Sequence, residues 1–204
     1  MRRPTTIATL LACALVVLAP LPVAAWAAQD ASLDDLGQAL AARGASTAEY
    51  QQTRYLDMLD QPLESRGILR YRPPDYLVQQ QTAPTRQTLT LDGGQLILEA
   101  ENRERRLELA EHPEGAAIAT SLRGILNGRI DALRDDYEIV FQDLGHGEWG
   151  LKLLPRTETL AQRINRIVVR GRFENGMASV ERLTIEHTNG NVNVMRITHG
   201  DNAP

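Results

Sequence analysis

The residues able to do chemistry in this chain are few and scattered. Its four histidines are His112, His146, His187 and His199. No two stand three or four residues apart, as ligands on one helix face would, nor two apart, as on one strand face. A metal site would have to be assembled across the fold. The one cysteine, Cys13, lies within an apolar leader, so thiolate chemistry is not expected of the mature chain. No Gly-x-Ser-x-Gly elbow occurs. The carboxylate pairs Asp34–Asp35 and Asp135–Asp136 fall at helix ends or turns, where solvated charge is the ordinary state. Arg103, Arg105 and Arg106 mix with Glu101, Glu104 and Glu108 in a charged hairpin, either solvated or a docking surface for a membrane partner. Nothing resembles a phosphate cradle. The pattern points away from an enzyme, and no cofactor or metal is expected.

The elements come next, beginning with the leader. Residues 1–27 open with Arg2 and Arg3, continue as an apolar run, and end on the small-x-small triplet Ala25-Trp26-Ala27. This predicts a signal peptide cut near Ala27. The alternative, an uncleaved anchor, is disfavoured by the shortness of the run and by Pro20 and Pro22 within it. Cleavage leaves residues 28–204 as one domain with 20 basic and 26 acidic residues, a net charge of −6. That balance disfavours nucleic acid or an anionic membrane as a general electrostatic partner. With no disulfide available, the domain must be held by its core.

Ser32 with Asp35 predicts a capped helix that ends at Gly44. Strand-like runs follow: Thr47 to Leu59, Leu63 to Arg72, Tyr76 to Thr82, Arg86 to Leu91, Gln95 to Glu101 and Arg105 to Leu109. Pro73 and Pro74 make a corner, since neither donates a ladder hydrogen bond. Helical spacing then takes over. Ile118, Leu122 and Ile125 form one stripe, Asn127-Gly128 breaks it, and Ile130 and Leu133 continue as a second short helix. Strands return at Tyr137 to Leu144, Trp149 to Leu154, Ile164 to Glu174, Met177 to His187 and Val192 to His199, with hairpin dipeptides at Asn175-Gly176 and Asn189-Gly190. No strand–helix–strand alternation occurs. The expected fold is mainly β: one curved antiparallel sheet of about eleven strands, a half-open barrel covered by three short helices. Three small helices cannot easily fill such a sheet, so it closes as a barrel or leaves a cavity.

The order of elements, and the stretch "GILRYRPPDYLVQQQTAPTRQTLTLDGGQLILE" from Gly67 to Glu99, resemble the LolA-like family of periplasmic lipoprotein carriers and their relatives. Gly67, Pro74, Leu77, Pro84, Asp92, Gly93 and Leu96 carry the match. The resemblance implies a helical lid over an apolar cavity that ferries acyl chains across an aqueous compartment, without covalent chemistry. It implies the periplasm of a Gram-negative bacterium, an inner-membrane exporter, an outer-membrane acceptor, and a monomer. Sheet residues expected to face the cavity are Leu69 and Tyr71, then Leu77 and Gln79, then Leu89, Leu91, Leu96 and Leu98. From the lid come Ile118, Leu122, Ile125 and Leu133. The same residues could instead be ordinary core. Gln79, where the family's carriers have tryptophan, must find polar partners, meet a ligand head group or lie at the open rim.

One departure concerns the lid. The family's carriers hold it with an arginine just before the corner proline, and that position here is Pro73. Arg72 stands one residue earlier and, with Arg70, is aimed at the convex face by strand alternation. The cargo could therefore be a lipoprotein, a free lipid or a lipid-like product. The alternative function is a non-carrying interaction module of an envelope assembly or lipid-export system, with a filled core.

Overall fold

The computed structural model of the protein describes residues 31–101 and 103–200. The expected signal peptide lies outside the described residues.

Helix α1 spans Leu33–Arg43. Ser32 Oγ accepts from the Asp35 backbone N–H at 3.1 Å, and the Asp35 carboxylate accepts from the Ser32 N–H at 2.9 Å. These bonds close the capping box; the Ser32 hydroxyl, donating to the Asp35 carboxylate at 2.6 Å, and then the Ser32 N–H hold that carboxyl below its ordinary pKa. Six strands follow: β1 Ser46–Tyr55, β2 Leu63–Arg72, β3 Tyr76–Ala83, β4 Gln87–Asp92, β5 Gln95–Ala100 and β6 Arg103–Glu108. Helix α2, Pro113–Leu126, carries Pro113 at its start, where a missing N–H costs nothing. After it come β7 Tyr137–Gly145, β8 Glu148–Pro155, the one-turn helix α3 Glu158–Ala161, β9 Ile164–Glu174, β10 Met177–His187 and β11 Val192–His199.

All eleven strands form one antiparallel sheet in the order β6-β5-β4-β3-β2-β1-β11-β10-β9-β8-β7. The two meanders meet where β1 pairs with β11, Ala48 opposite His199. β6 and β7 remain as separate edges, so the barrel is open. Asn175 and Gly176 both take positive φ, 52° and 76°, as the β9–β10 hairpin dipeptide requires.

Three elements differ from expectation. β1 ends at Tyr55 rather than Leu59, and residues 56–62 form the turn into β2. The second expected lid helix is one 3₁₀ turn, Ile130–Leu133. Conversely, the segment at 155–162 contains α3. The break after α2 has a packing cause. Gly128 sits at φ +68°, and a Cβ there would stand 1.9 Å from the Gly37 carbonyl oxygen of α1. Two glycines thus let α1 touch the chain leaving α2 backbone to backbone.

The core is lopsided. Around β7–β10, Leu36 and Leu40 of α1, Leu133, Tyr137, Trp149 and Leu153 belong to one continuous buried cluster. Around β3–β5 only a small cluster forms, Leu91, Leu109 and Ala119, with Leu77 and Leu96 packed against it.

Ser32→Ala is expected to cost about 1 kcal/mol in urea unfolding, the usual value of a lost N-cap. Gly128→Ala should cost more, because the opposing atom is a backbone oxygen and the residue must also hold positive φ. If Gly128→Ala proves the milder change, the glycine contact does not seat α1 against the lid.

Candidate functional site

Between α2 and the uncrowded half of the sheet lies a cavity of about 360 Å³. That volume falls within the usual ~300–1,000 Å³ of small-molecule sites. Ten of the twelve residues expected from the sequence line it: Leu69, Tyr71, Leu77, Gln79, Leu89, Leu91 and Leu96 from the sheet, and Ile118, Leu122 and Ile125 from α2. Their meeting follows from register. Leu69 pairs with Gln79 and Gln79 with Leu89, while Tyr71 pairs with Leu77, Leu77 with Leu91 and Leu91 with Leu96. Directly paired residues share a face, so two rows of side chains cross β2–β5 on the concave side.

The other two lie elsewhere. Leu98 pairs with Leu89 and with Arg105, half-buried toward the β6 edge and outside the cavity wall. Leu133 is fully buried in the large core cluster. The 3₁₀ turn brings it against Gly124 of α2, where a Cβ would stand 2.7 Å from it, so it supports the lid rather than facing the cavity.

Gln79 lines the cavity and is half-buried, and its Nε2 donates to Gln52 Oε1 at 3.3 Å. Gln87 donates to Gln81 at 3.2 Å, and Gln81 to the Thr85 carbonyl at 2.9 Å. These amides form an uncharged polar layer beside the leucine rows. Tyr50 is buried on the strand that carries Gln52, and burial pushes its hydroxyl pKa up.

The lid is held by its own side chains. Asn127, at the end of α2, accepts from the Tyr71 hydroxyl at 2.5 Å and donates to the Pro74 carbonyl at 2.6 Å. Arg123 donates to the Gly93 carbonyl in the β4–β5 turn. Farther back, Ser121 bonds the Ala117 carbonyl and the buried Tyr137 hydroxyl. With proline at position 73, the lid is tied by Asn127 and Arg123 donating to the Pro74 and Gly93 carbonyls and by the Tyr71 hydroxyl donating to Asn127. Arg72 stacks on Tyr76, 4.3 Å from the ring centroid, and Arg70 donates to Gln80 at 3.0 Å; both are exposed on the convex face.

The sequence pattern did not reveal the opposite wall. Leu183 of β10, together with Met195 and Ile197 of β11, lines the cavity. The last two alternate with period two, and that spacing carries on to His199. Arg43, legible only as a basic residue closing α1, also reaches the cavity, as does His199. His199 Nε2 lies 3.0 Å from the Val180 carbonyl. A carbonyl only accepts, so Nε2 carries the hydrogen and Nδ1 is left buried without a partner. Arg43 Nε is likewise buried and unpartnered. Burial, then the Arg43 charge, hold His199 below its ordinary pKa, against weaker support from the Val180 carbonyl, Glu181 and Glu174. No group of three His, Cys, Asp or Glu side chains among the described residues is placed to hold a metal.

An open antiparallel half-barrel with a helix tied over an apolar interior defines a class of lidded cavity proteins. The chain belongs to the outer membrane lipoprotein carrier protein LolA-like family, whose model matches residues 24–191. Among solved structures it is similar to a LolA superfamily protein of Nitrosomonas europaea, at 13% identity over 84% of this chain and 93% of that one, TM-score 0.45. It is also similar to the lipoprotein LppX of Mycobacterium tuberculosis, at 10% identity over 84% and 96%, TM-score 0.43. No curated protein matches the chain.

Two outcomes follow. Asn127→Ala removes both bonds to the sheet corner, so backbone amides of α2 should exchange hydrogen faster while β7–β10 keep their protection; unchanged exchange in α2 would mean the latch lies elsewhere. His199 has a folded pKa below the ordinary 6.5 of an exposed imidazole. The unfolded chain therefore binds more protons just below that value, and stability falls as pH drops through it. His199→Gln should flatten that part of the stability profile, measured by urea unfolding at several pH values.

Proposed function

We propose that this protein is a periplasmic carrier that binds acyl chains of lipids or lipoproteins under α2 and moves them from the inner to the outer membrane, without covalent chemistry. The observation that carries this is the unfilled apolar space beneath a helix that polar bonds tie to the sheet rim. Each methylene kept from water is worth roughly 0.8 kcal/mol, so ten sheltered methylenes are worth about 8 kcal/mol. A cargo held that firmly needs an opening lid for release. Membership of a family described by lipoprotein carriage supports the same reading. An inner-membrane exporter as donor and an outer-membrane acceptor complete the proposal. The other expectation, an interaction module with a filled core, fits less well, because the half of the sheet under α2 is not filled.

The test is to purify the mature protein from periplasm, extract it for mass spectrometry, and titrate it with a fluorescent acyl probe. Co-purified lipid and saturable binding are expected. Leu69→Glu and Leu122→Glu should each reduce probe binding at least tenfold with the fold retained by circular dichroism, while Arg70→Ala on the convex face leaves it nearly unchanged. Absence of both extracted lipid and saturable binding would overturn the carrier reading.

A further inference from the structure

Two side chains with unpaired nitrogens, Arg43 and His199, stand in a mostly aliphatic cavity wall. Arg43 lies in the last turn of α1 and His199 at the end of β11, opposite Ala48 of β1, and all three residues line the cavity. A basic residue at a helix C-terminus ordinarily complements the helix dipole from solvent. Arg43 differs. The residue is half-buried, and its Nε is fully buried with no acceptor among the described residues. Glu174 acts on it only at a distance. Burying a guanidinium donor without an acceptor is costly unless something else supplies the acceptor. His199 is fixed by Val180, which leaves Nδ1 as the second unpaired nitrogen. Arg43 is also near enough for its charge to disfavour protonation of the imidazole.

Resting on the carrier reading, we infer that the cargo is an amphiphile whose chain ends in an oxyanion, a carboxylate or a phosphate, and that Arg43 and His199 are its head-group site. Arg43 donates its Nε–H to one oxygen of the head group. His199 Nδ1, an acceptor in the neutral ring, becomes a second donor by taking up a proton beside the bound anion. The leucine rows shelter the chain. An uncharged head group leaves the buried Arg43 Nε–H facing hydrocarbon, so the site discriminates by leaving a buried donor unpaired.

The experiment compares palmitate, hexadecyl phosphate and, as the uncharged analogue, hexadecanol, each displacing the fluorescent acyl probe from the full mature chain below its micellar concentration. At least one oxyanion should bind tenfold or more tightly than hexadecanol, and the stronger of the two identifies the head group. That preference should shrink to within about threefold in Arg43→Met and weaken in His199→Gln, while Arg43→Lys, which keeps the charge, retains part of it. Hexadecanol displacement in each variant reports whether the cavity is intact. Equal binding of all three ligands to the wild type, or an unchanged preference in folded Arg43→Met, overturns the head-group site and leaves the carrier reading standing. Failure of every ligand to bind overturns both.

Discussion

The structure depends on a mismatch of area. One sheet of eleven strands curves around a concave face larger than its helices can cover. The mismatch is not spread evenly. Over β7–β10 the sequence supplies Trp149, Tyr137, Leu151 and Leu153, and α1, α3 and the 3₁₀ turn press Leu36, Leu40, Leu160 and Leu133 into them. Over β2–β5 the covering helix meets Leu77, Leu91 and Leu96 through Ala116 and Ala119, while its Ile118 and Leu122 face a space that stays unfilled. One half of the sheet is packed into one continuous buried core. The other half forgoes those contacts, which makes it the place where a bound molecule can restore them.

That division also fixes how the lid is attached. The C-terminal half of α2 is anchored in the rigid part, through Ile125 in the large cluster and Ser121 against Tyr137. Its remaining ties to the sheet rim are polar, from Arg123 and Asn127 to two backbone carbonyls and one tyrosine hydroxyl. At about 1 kcal/mol for each neutral hydrogen bond and about 1.5–3 kcal/mol for the charged Arg123, these ties are worth only a few kcal/mol. The double-proline corner has a part in this. Pro73 and Pro74 contribute no N–H, and the Pro74 carbonyl is turned to the lid. Two of the three bonds have lid-borne donors, Asn127 and Arg123, and the third has a sheet-borne donor, the Tyr71 hydroxyl, so the attachment at the corner runs in both directions.

Much of this was legible in the sequence, for identifiable reasons. Period-two alternation in β2–β5 placed Leu69, Tyr71, Leu77, Leu89, Leu91 and Leu96 on one face, and the antiparallel register aligned them. Helical spacing did the same for Ile118, Leu122 and Ile125. Leu133 was misplaced because apolar spacing continues across Gly128, whereas the backbone turns there to meet Gly37. Leu98 has the correct parity but stands too near the edge, a matter of sheet curvature that alternation does not encode. The wall formed by β10 and β11 was missed because those strands follow the lid by fifty residues and more. Only the β1–β11 pairing, a contact between chain ends, closes them around the cavity.

The polar groups of the cavity wall then take on a direction. His199 pairs with Ala48, and Gln52, four residues farther along the same strand, pairs with Met195. At 3.3 Å per residue the two levels stand about 13 Å apart. The far level holds Gln52, whose amide is satisfied by Gln79 reaching back from the row of Ala48 and Leu69, and Gln81 is satisfied by Gln87. The other carries Arg43 and His199 with nitrogens left over. Mutually bonded amides ask nothing of a ligand, and an unpaired guanidinium N–H does. A purely hydrocarbon slot would accept a chain in either sense, but in this one the amides are already paired while Arg43 Nε and His199 Nδ1 are not, among the described residues. In the proposed carrier, orientation of the cargo, and not only its burial, would thus be set by which polar groups the fold has already paired.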